Sequence, residues 1–62
     1  MKIYYGVIYF KGGRRHETGG FSGSGAEMSC ESYTGRLFDW YKQTAISPFF
    51  EPSRYEVKVR EE

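Results

Sequence analysis

Residues 1–10 (MKIYYGVIYF) constrain this chain most. They read as a β-strand with apolar side chains on both faces. Period-2 alternation sets Ile3, Tyr5, Val7 and Tyr9 on one side and Tyr4, Ile8 and Phe10 on the other. A strand covered on one face alone would carry a polar set opposite. One layer of helix covers one side of a small sheet, so the second side is a partner surface or an exposed aromatic patch.

Sixty-two residues make one domain, 1–62. Such a chain buries only ~60% of its unfolded surface, and chains of this size lean on disulfides, metals or association. A single cysteine, Cys30, excludes an internal disulfide, and one histidine with one cysteine falls short of a structural zinc site. Association or heavy aromatic packing remains, and six Tyr, five Phe and one Trp supply either. A lone thiol fits a reducing compartment. Residues 1–10 lack the form of a signal peptide, and no stretch approaches the ~20 apolar residues of a membrane span. The expectation is a cytoplasmic protein with no membrane partner.

Gly12-Gly13 after the first strand suits a two-residue type I′ turn. That turn sets Lys11 opposite Arg14, Tyr9 opposite His16, Val7 opposite Thr18 and Tyr4 opposite Phe21. A second strand over residues 14–21 follows, weakened at Gly19-Gly20, where a bulge is one reading. This register groups Tyr4, Ile8, Phe10 and Phe21 with Arg15 and Glu17. The mixture of charges and aromatics assigns that set to the outer face.

After the flexible segment GGFSGSG, Ser24 and Glu27 have capping-box spacing, with Ser29 as an alternative start. Ala26, Cys30, Tyr33, Leu37, Trp40, Tyr41 and Thr44 then recur at helical spacing as a buried stripe. Glu31, Ser32, Arg36, Asp39 and Gln43 fall on the far side. On that reading Trp40→Ala deletes core and costs ~3–5 kcal/mol. Gly35 allows close approach to the sheet, and Pro48 ends the helix. In residues 54–60 (RYEVKVR) alternation is strict, with Tyr55, Val57 and Val59 inward and Arg54, Glu56, Lys58 and Arg60 outward. Glu61-Glu62 read as a solvated, frayed tail. The order ββαβ gives an α+β fold, a three-stranded sheet of order 2-1-3 with one helix packed on one face.

Chemistry finds few candidates. Cys30, His16 and Asp39 supply the types for a nucleophile, base and orienter. Cys30 lies on the buried stripe, however, and Asp39 on the opposite side of the helix. Glu27 and Glu31 are four apart, and the positive end of the helix dipole explains them. The glycine-rich run lacks the Lys-[Ser/Thr] of a phosphate loop, and Met28 stands where a dinucleotide fingerprint needs its third glycine. No catalytic residue, metal, cofactor or small-molecule substrate is expected.

Two binding readings remain. Lys11, Arg14 and Arg15 at the hairpin tip, beside Tyr4, Ile8, Phe10 and Phe21, would meet phosphates and stack bases. A net charge of +1 weakens that nucleic-acid reading. The favoured one is a non-enzymatic regulator or inhibitor docking on a protein partner or a second copy of itself. Its contact set is Tyr4, Ile8, Phe10, Lys11, Arg14, Arg15 and Phe21, joined by Phe49 and Phe50, because Tyr, Trp, Phe and Arg are the residues interfaces favour. A chain of this size and cysteine content suits an accessory factor of the kind phages and mobile elements encode.

Overall fold

A computed structural model describes residues 1–45 and 50–62. Strand β1 (Lys2–Phe10), strand β2 (Arg15–Glu17), helix α1 (Ala26–Thr44) and strand β3 (Pro52–Glu61) follow in that order. The sheet is antiparallel with order β2-β1-β3, and the most apolar strand is central. This is the α+β, ββαβ architecture that the sequence pattern implies.

The hairpin register differs by one residue from the two-residue-loop expectation. Phe10 N–H donates to Arg14 O at 2.9 Å and Gly13 N–H to Phe10 O at 3.0 Å, so the loop is Lys11-Gly12-Gly13. Gly13 has φ 91° and Gly12 has no positive φ, which is the three-residue loop with a left-handed glycine at its end, whereas a type I′ turn needs both central residues left-handed. Val7 therefore pairs with Glu17, Ile8 with His16 and Tyr9 with Arg15. A one-residue slip moves a strand's side chains to the opposite face. Tyr4 nevertheless meets Phe21, as expected, because Gly19 and Gly20 together oppose Tyr5 as a bulge. A Cβ on Gly20 would lie 2.6 Å from Ile3 Cγ2, so the bulge has no room for a side chain there.

The pairing of β1 with β3 runs from Lys2↔Glu61 to Tyr9↔Arg54 without interruption. Partners share a face, so Tyr4, Gly6 and Ile8 share theirs with Val59, Val57 and Tyr55. Helix α1 covers this face. Ile8 and Val7 are both fully buried, and Phe10 nearly so, with its ring 5.1 Å from Tyr41 of α1 in an edge-to-face pair. The assignment of Tyr4, Ile8 and Phe10 to the outer face is thus reversed. The decisive residue is Gly6, where a Cβ would sit 1.9 Å from Thr34 Oγ1. The helix reaches the sheet at this glycine, with Thr34 against it.

The buried line of α1 is Ala26, Cys30 and Thr34, with Leu37, Phe38 and Tyr41 half-buried. Thr34 satisfies its hydroxyl on Cys30 O at 2.7 Å. The expected far side, Glu31, Ser32, Arg36, Asp39 and Gln43, is exposed throughout. Gly25, left-handed at φ 73°, occupies the N-cap with no side-chain cap bond, so the Ser24–Glu27 box is not used. The helix stops at Thr44, earlier than Pro48 requires. Pro48 and Phe49 lie outside the described residues. Pro52 opens β3, where a missing N–H is tolerated. The end of the chain is not frayed, for Glu61 pairs with Lys2 and Glu62 N–H donates to Met1 O at 2.8 Å.

Candidate interaction surfaces

Among the described residues, four surfaces remain once the helix is in place. The first is the open face of the sheet, built from Ile3, Tyr5, Val7 and Tyr9 of β1, Arg54, Glu56, Lys58 and Arg60 of β3, and Arg15 and Glu17 of β2. Among the described residues no second layer covers it, yet Val7 at its centre is fully buried. Its neighbours form a polar canopy. The Arg54 guanidinium lies 4.0 Å from the Tyr9 ring centroid and that of Arg60 lies 5.3 Å from Tyr5. Tyr9 donates its hydroxyl to Glu56 Oε1 at 2.5 Å. That bond, with Lys58 and Arg54 beside it, holds the Glu56 carboxyl below the usual carboxylate range. The phenol of Tyr9 and then Glu56 push the Lys58 ammonium up. Every cation here has an acidic partner: Arg15 with Glu17, Arg54 and Lys58 with Glu56, and Arg60 with Glu62.

The second surface is the hairpin tip. Lys11 Nζ lies 2.9 Å from Glu51 Oε1, and Arg14 stands over the exposed ring of Phe50 at 5.9 Å. The fold thus brings Lys11, Arg14 and Phe50 together, and sends Arg15 onto the open face instead.

The third surface is an open groove of about 610 Å³ along α1, where Met28, Gly35 and Phe38 meet Tyr55 beneath Glu31 and Asp39. Phe38 and Tyr55 rings lie 5.1 Å apart. A Cβ on Gly35 would come within 3.2 Å of the Tyr55 hydroxyl, so this glycine does admit the sheet's far edge.

The fourth surface is aromatic. Tyr33 and Trp40, assigned by spacing to the core stripe, are 50% and 55% exposed. They stand seven residues apart on the flank of α1 that overhangs β2. Tyr33 leans on the half-buried Phe21 at 5.8 Å, and Trp40 on Tyr41 at 5.2 Å. Tyr41 in turn meets His16 of β2 at 6.1 Å. Strand β2 is only three residues long and all three are exposed, so the sheet beneath this flank is too small to cover it. Of the predicted contact set, Phe21 alone belongs here. The helical spacing itself carried the signal that was missed: Ala26, Cys30 and Thr34 are small, and small residues mark the line of closest approach, which pushes Tyr33 and Trp40 to one side.

The catalytic types do not converge. Cys30 is fully buried, its Sγ 3.9 Å from Thr34 Oγ1, and burial pushes its thiol up. Asp39 is exposed on the far side of the helix. Among the described residues no three His, Cys, Asp or Glu side chains cluster as metal ligands. Among them, too, no helix is long and apolar enough to cross a membrane.

Comparison with known proteins gives no match: no family model, curated protein or solved structure resembles this chain.

Proposed function

We propose that this chain is a non-enzymatic protein-binding domain whose contact surface is the aromatic flank of α1 above β2. The exposure of Tyr33 and Trp40 carries the reading. An isolated domain gains nothing by leaving a tryptophan and a tyrosine half in water two turns apart on one helix flank, whereas Trp and Tyr are the side chains on which interface energy concentrates. Phe21 and His16 extend the flank toward the sheet edge. The hairpin tip, with Arg14 and Phe50, lies at the other end of β2 and adds a cation at the rim. A cytoplasmic setting belongs to this reading, supported by a single cysteine held as a buried thiol.

The test is site-specific photo-crosslinking in cells of origin. A benzophenone side chain at Tyr33 should capture a discrete protein species, and the same probe at Ser32 should not. The Tyr33 adduct should vanish when Trp40 is changed to Ser. A discrete adduct from Ser32, or none from Tyr33, refutes the assignment.

A second reading has one observation in its favour. Arg54 and Arg60 stacked on Tyr9 and Tyr5 make an aromatic and cationic sheet face, the kind on which single-stranded nucleic acid stacks. Glu17, Glu56 and Glu62 set three carboxylates against its four cations, which leaves little counterion release to drive binding. Binding of an oligonucleotide that weakens steeply with salt would bring this reading forward.

A further inference from the structure

The occupant of the aromatic flank is a second copy of this chain, we infer, joined edge to edge through β2; this rests on the flank being a contact surface at all. Phe10 and Thr18 donate backbone N–H groups to Arg14 O and Gly6 O, each at 2.9 Å. In an antiparallel pair, bonded positions alternate. The bonded residues of β2 are therefore the even ones, and the N–H and C=O of Arg15 and Glu17 point out of the sheet's open edge.

That edge is complementary to itself. A two-fold axis through His16 sets Arg15 opposite the partner copy's residue 17 and Glu17 opposite its residue 15. Arginine then faces glutamate on both sides of the axis, on the same sheet face, at the spacing where cross-strand charges act. The same arrangement pairs the outward N–H and C=O groups of both residues. The two copies exchange identical patches, as a closed dimer requires.

The overhang fits as well. Helix α1 rests mainly on β1 and β3 and reaches β2 through Tyr41, which meets His16. Joining two β2 edges makes a six-stranded sheet with the two helices roughly 19 Å apart, four strand spacings of about 4.8 Å. Directly packed helices lie only 8–10 Å apart. The intervening channel has the width of large side chains from both walls, and Tyr33, Trp40, Tyr41 and Phe21 line each wall. A chain of 62 residues gains from the two-fold burial what its own sheet cannot supply.

The experiment is light scattering with size exclusion on the full chain, across concentration, with far-UV circular dichroism confirming the fold of each variant. Wild type should be a dimer. Glu17→Arg sets arginine against arginine and should raise the dissociation constant roughly tenfold or more; Arg15→Glu should do the same with glutamates. Mixing the two single variants should restore the dimer, because each then meets its complement. The double exchange Arg15→Glu/Glu17→Arg should dimerise as wild type does. A monomeric wild type, or a dimer indifferent to both reversals, overturns the proposal. A monomer that still gives the Tyr33 crosslink to another protein overturns the dimer alone and leaves the flank as a binding surface. A monomer without that crosslink removes both.

Discussion

Gly6→Ala decides which face of the sheet the helix occupies, and its sign alone is diagnostic. Glycine inside a strand is disfavoured relative to alanine by roughly 0.5–1 kcal/mol, so on an open face the substitution stabilises. The structure places Thr34 against this position. An added Cβ would stand 1.9 Å from Thr34 Oγ1, 2.6 Å from its Cγ2 and 2.8 Å from its Cβ. The last of these atoms is fixed to the helix backbone, so no rotation of Thr34 relieves the clash and α1 must shift outward. Overpacking of this kind costs about 1–3 kcal/mol and occasionally more. A domain of this size has a total stability of about 3–9 kcal/mol, so the variant should be visibly destabilised or unfolded. Urea unfolding followed by far-UV circular dichroism measures it, with the slope m checked against wild type. Thr34→Ala removes the two nearest atoms, and the Gly6→Ala/Thr34→Ala pair should recover about 1 kcal/mol or more relative to additivity. That cycle keeps the reasoning open to refutation even if Gly6→Ala alone fails to fold. A Gly6→Ala protein as stable as wild type or more so, or a double variant showing no coupling, means that the helix does not lie on this face.

Three further outcomes follow from the same packing. Phe10→Ala should cost about 3–5 kcal/mol as a core deletion, whereas Trp40→Ala should cost about 1 kcal/mol, mostly its edge-to-face pair with Tyr41; equal losses in urea unfolding would contradict the exposed flank. Tyr9→Phe removes the hydroxyl that lowers Glu56, so the Glu56 carboxyl followed by NMR should titrate at higher pH than in wild type. Glu56 is a lowered carboxylate, so its contribution is present above its unfolded pKa of about 4.5 and is lost as pH falls through the lower folded value; Tyr9→Phe should flatten the stability profile in that acidic window. Cys30, buried and raised, should react with a thiol reagent at the rate of unfolding, tracking urea concentration, and rapid labelling of the native protein would show that the helix line is misplaced.

Element order and strand pairing were legible in the chain because each rests on a strong local pattern. The alternation of residues 54–60 fixed the existence of β3 and its facing: Tyr55, Val57 and Val59 lie on the helix side of the sheet, but Val59 runs beyond the helix and is 51% exposed. The apolar run of β1 fixed its central place. The facing of β1 itself was not legible, because its two faces are equally apolar and alternation carries no contrast. Gly6 was the available clue, since a glycine in the middle of an otherwise bulky strand marks a close backbone approach. The register of β2 turned on whether Gly12-Gly13 spans two central positions or closes a three-residue loop, a choice of one φ angle that two adjacent glycines leave open. The stripe on α1 was misread by counting aromatics as core and passing over Thr34, which is polar by type but supplies its own acceptor at Cys30 O. The predicted contact set inherited these errors. Ile8 and Phe10 lie in the core, while Tyr33 and Trp40 were taken for it.

The distribution of apolar surface follows from how two faces of one strand solve the same problem by different means. The helix covers Tyr4, Ile8 and Phe10 directly. On the other face Val7 has no helix above it and is buried nonetheless, because Tyr5 and Tyr9 flank it and the guanidiniums of Arg54 and Arg60 lie across their rings. Long cationic side chains cover apolar area with their stems and keep their charge in water. The open face thus presents charge to solvent and hides its hydrocarbon. Strand β2 has no such means at hand, being three residues long, with its two glycines after Thr18 carrying no side chain. The flank above it keeps Tyr33 and Trp40 in water for that reason. A side chain at Gly20 would press on Ile3 of the open face, whereas Gly19 has nothing within 4 Å of an added Cβ. On the proposed dimer reading, further shielding for Tyr33 and Trp40 comes from a strand of a second copy added at the open edge of Arg15 and Glu17.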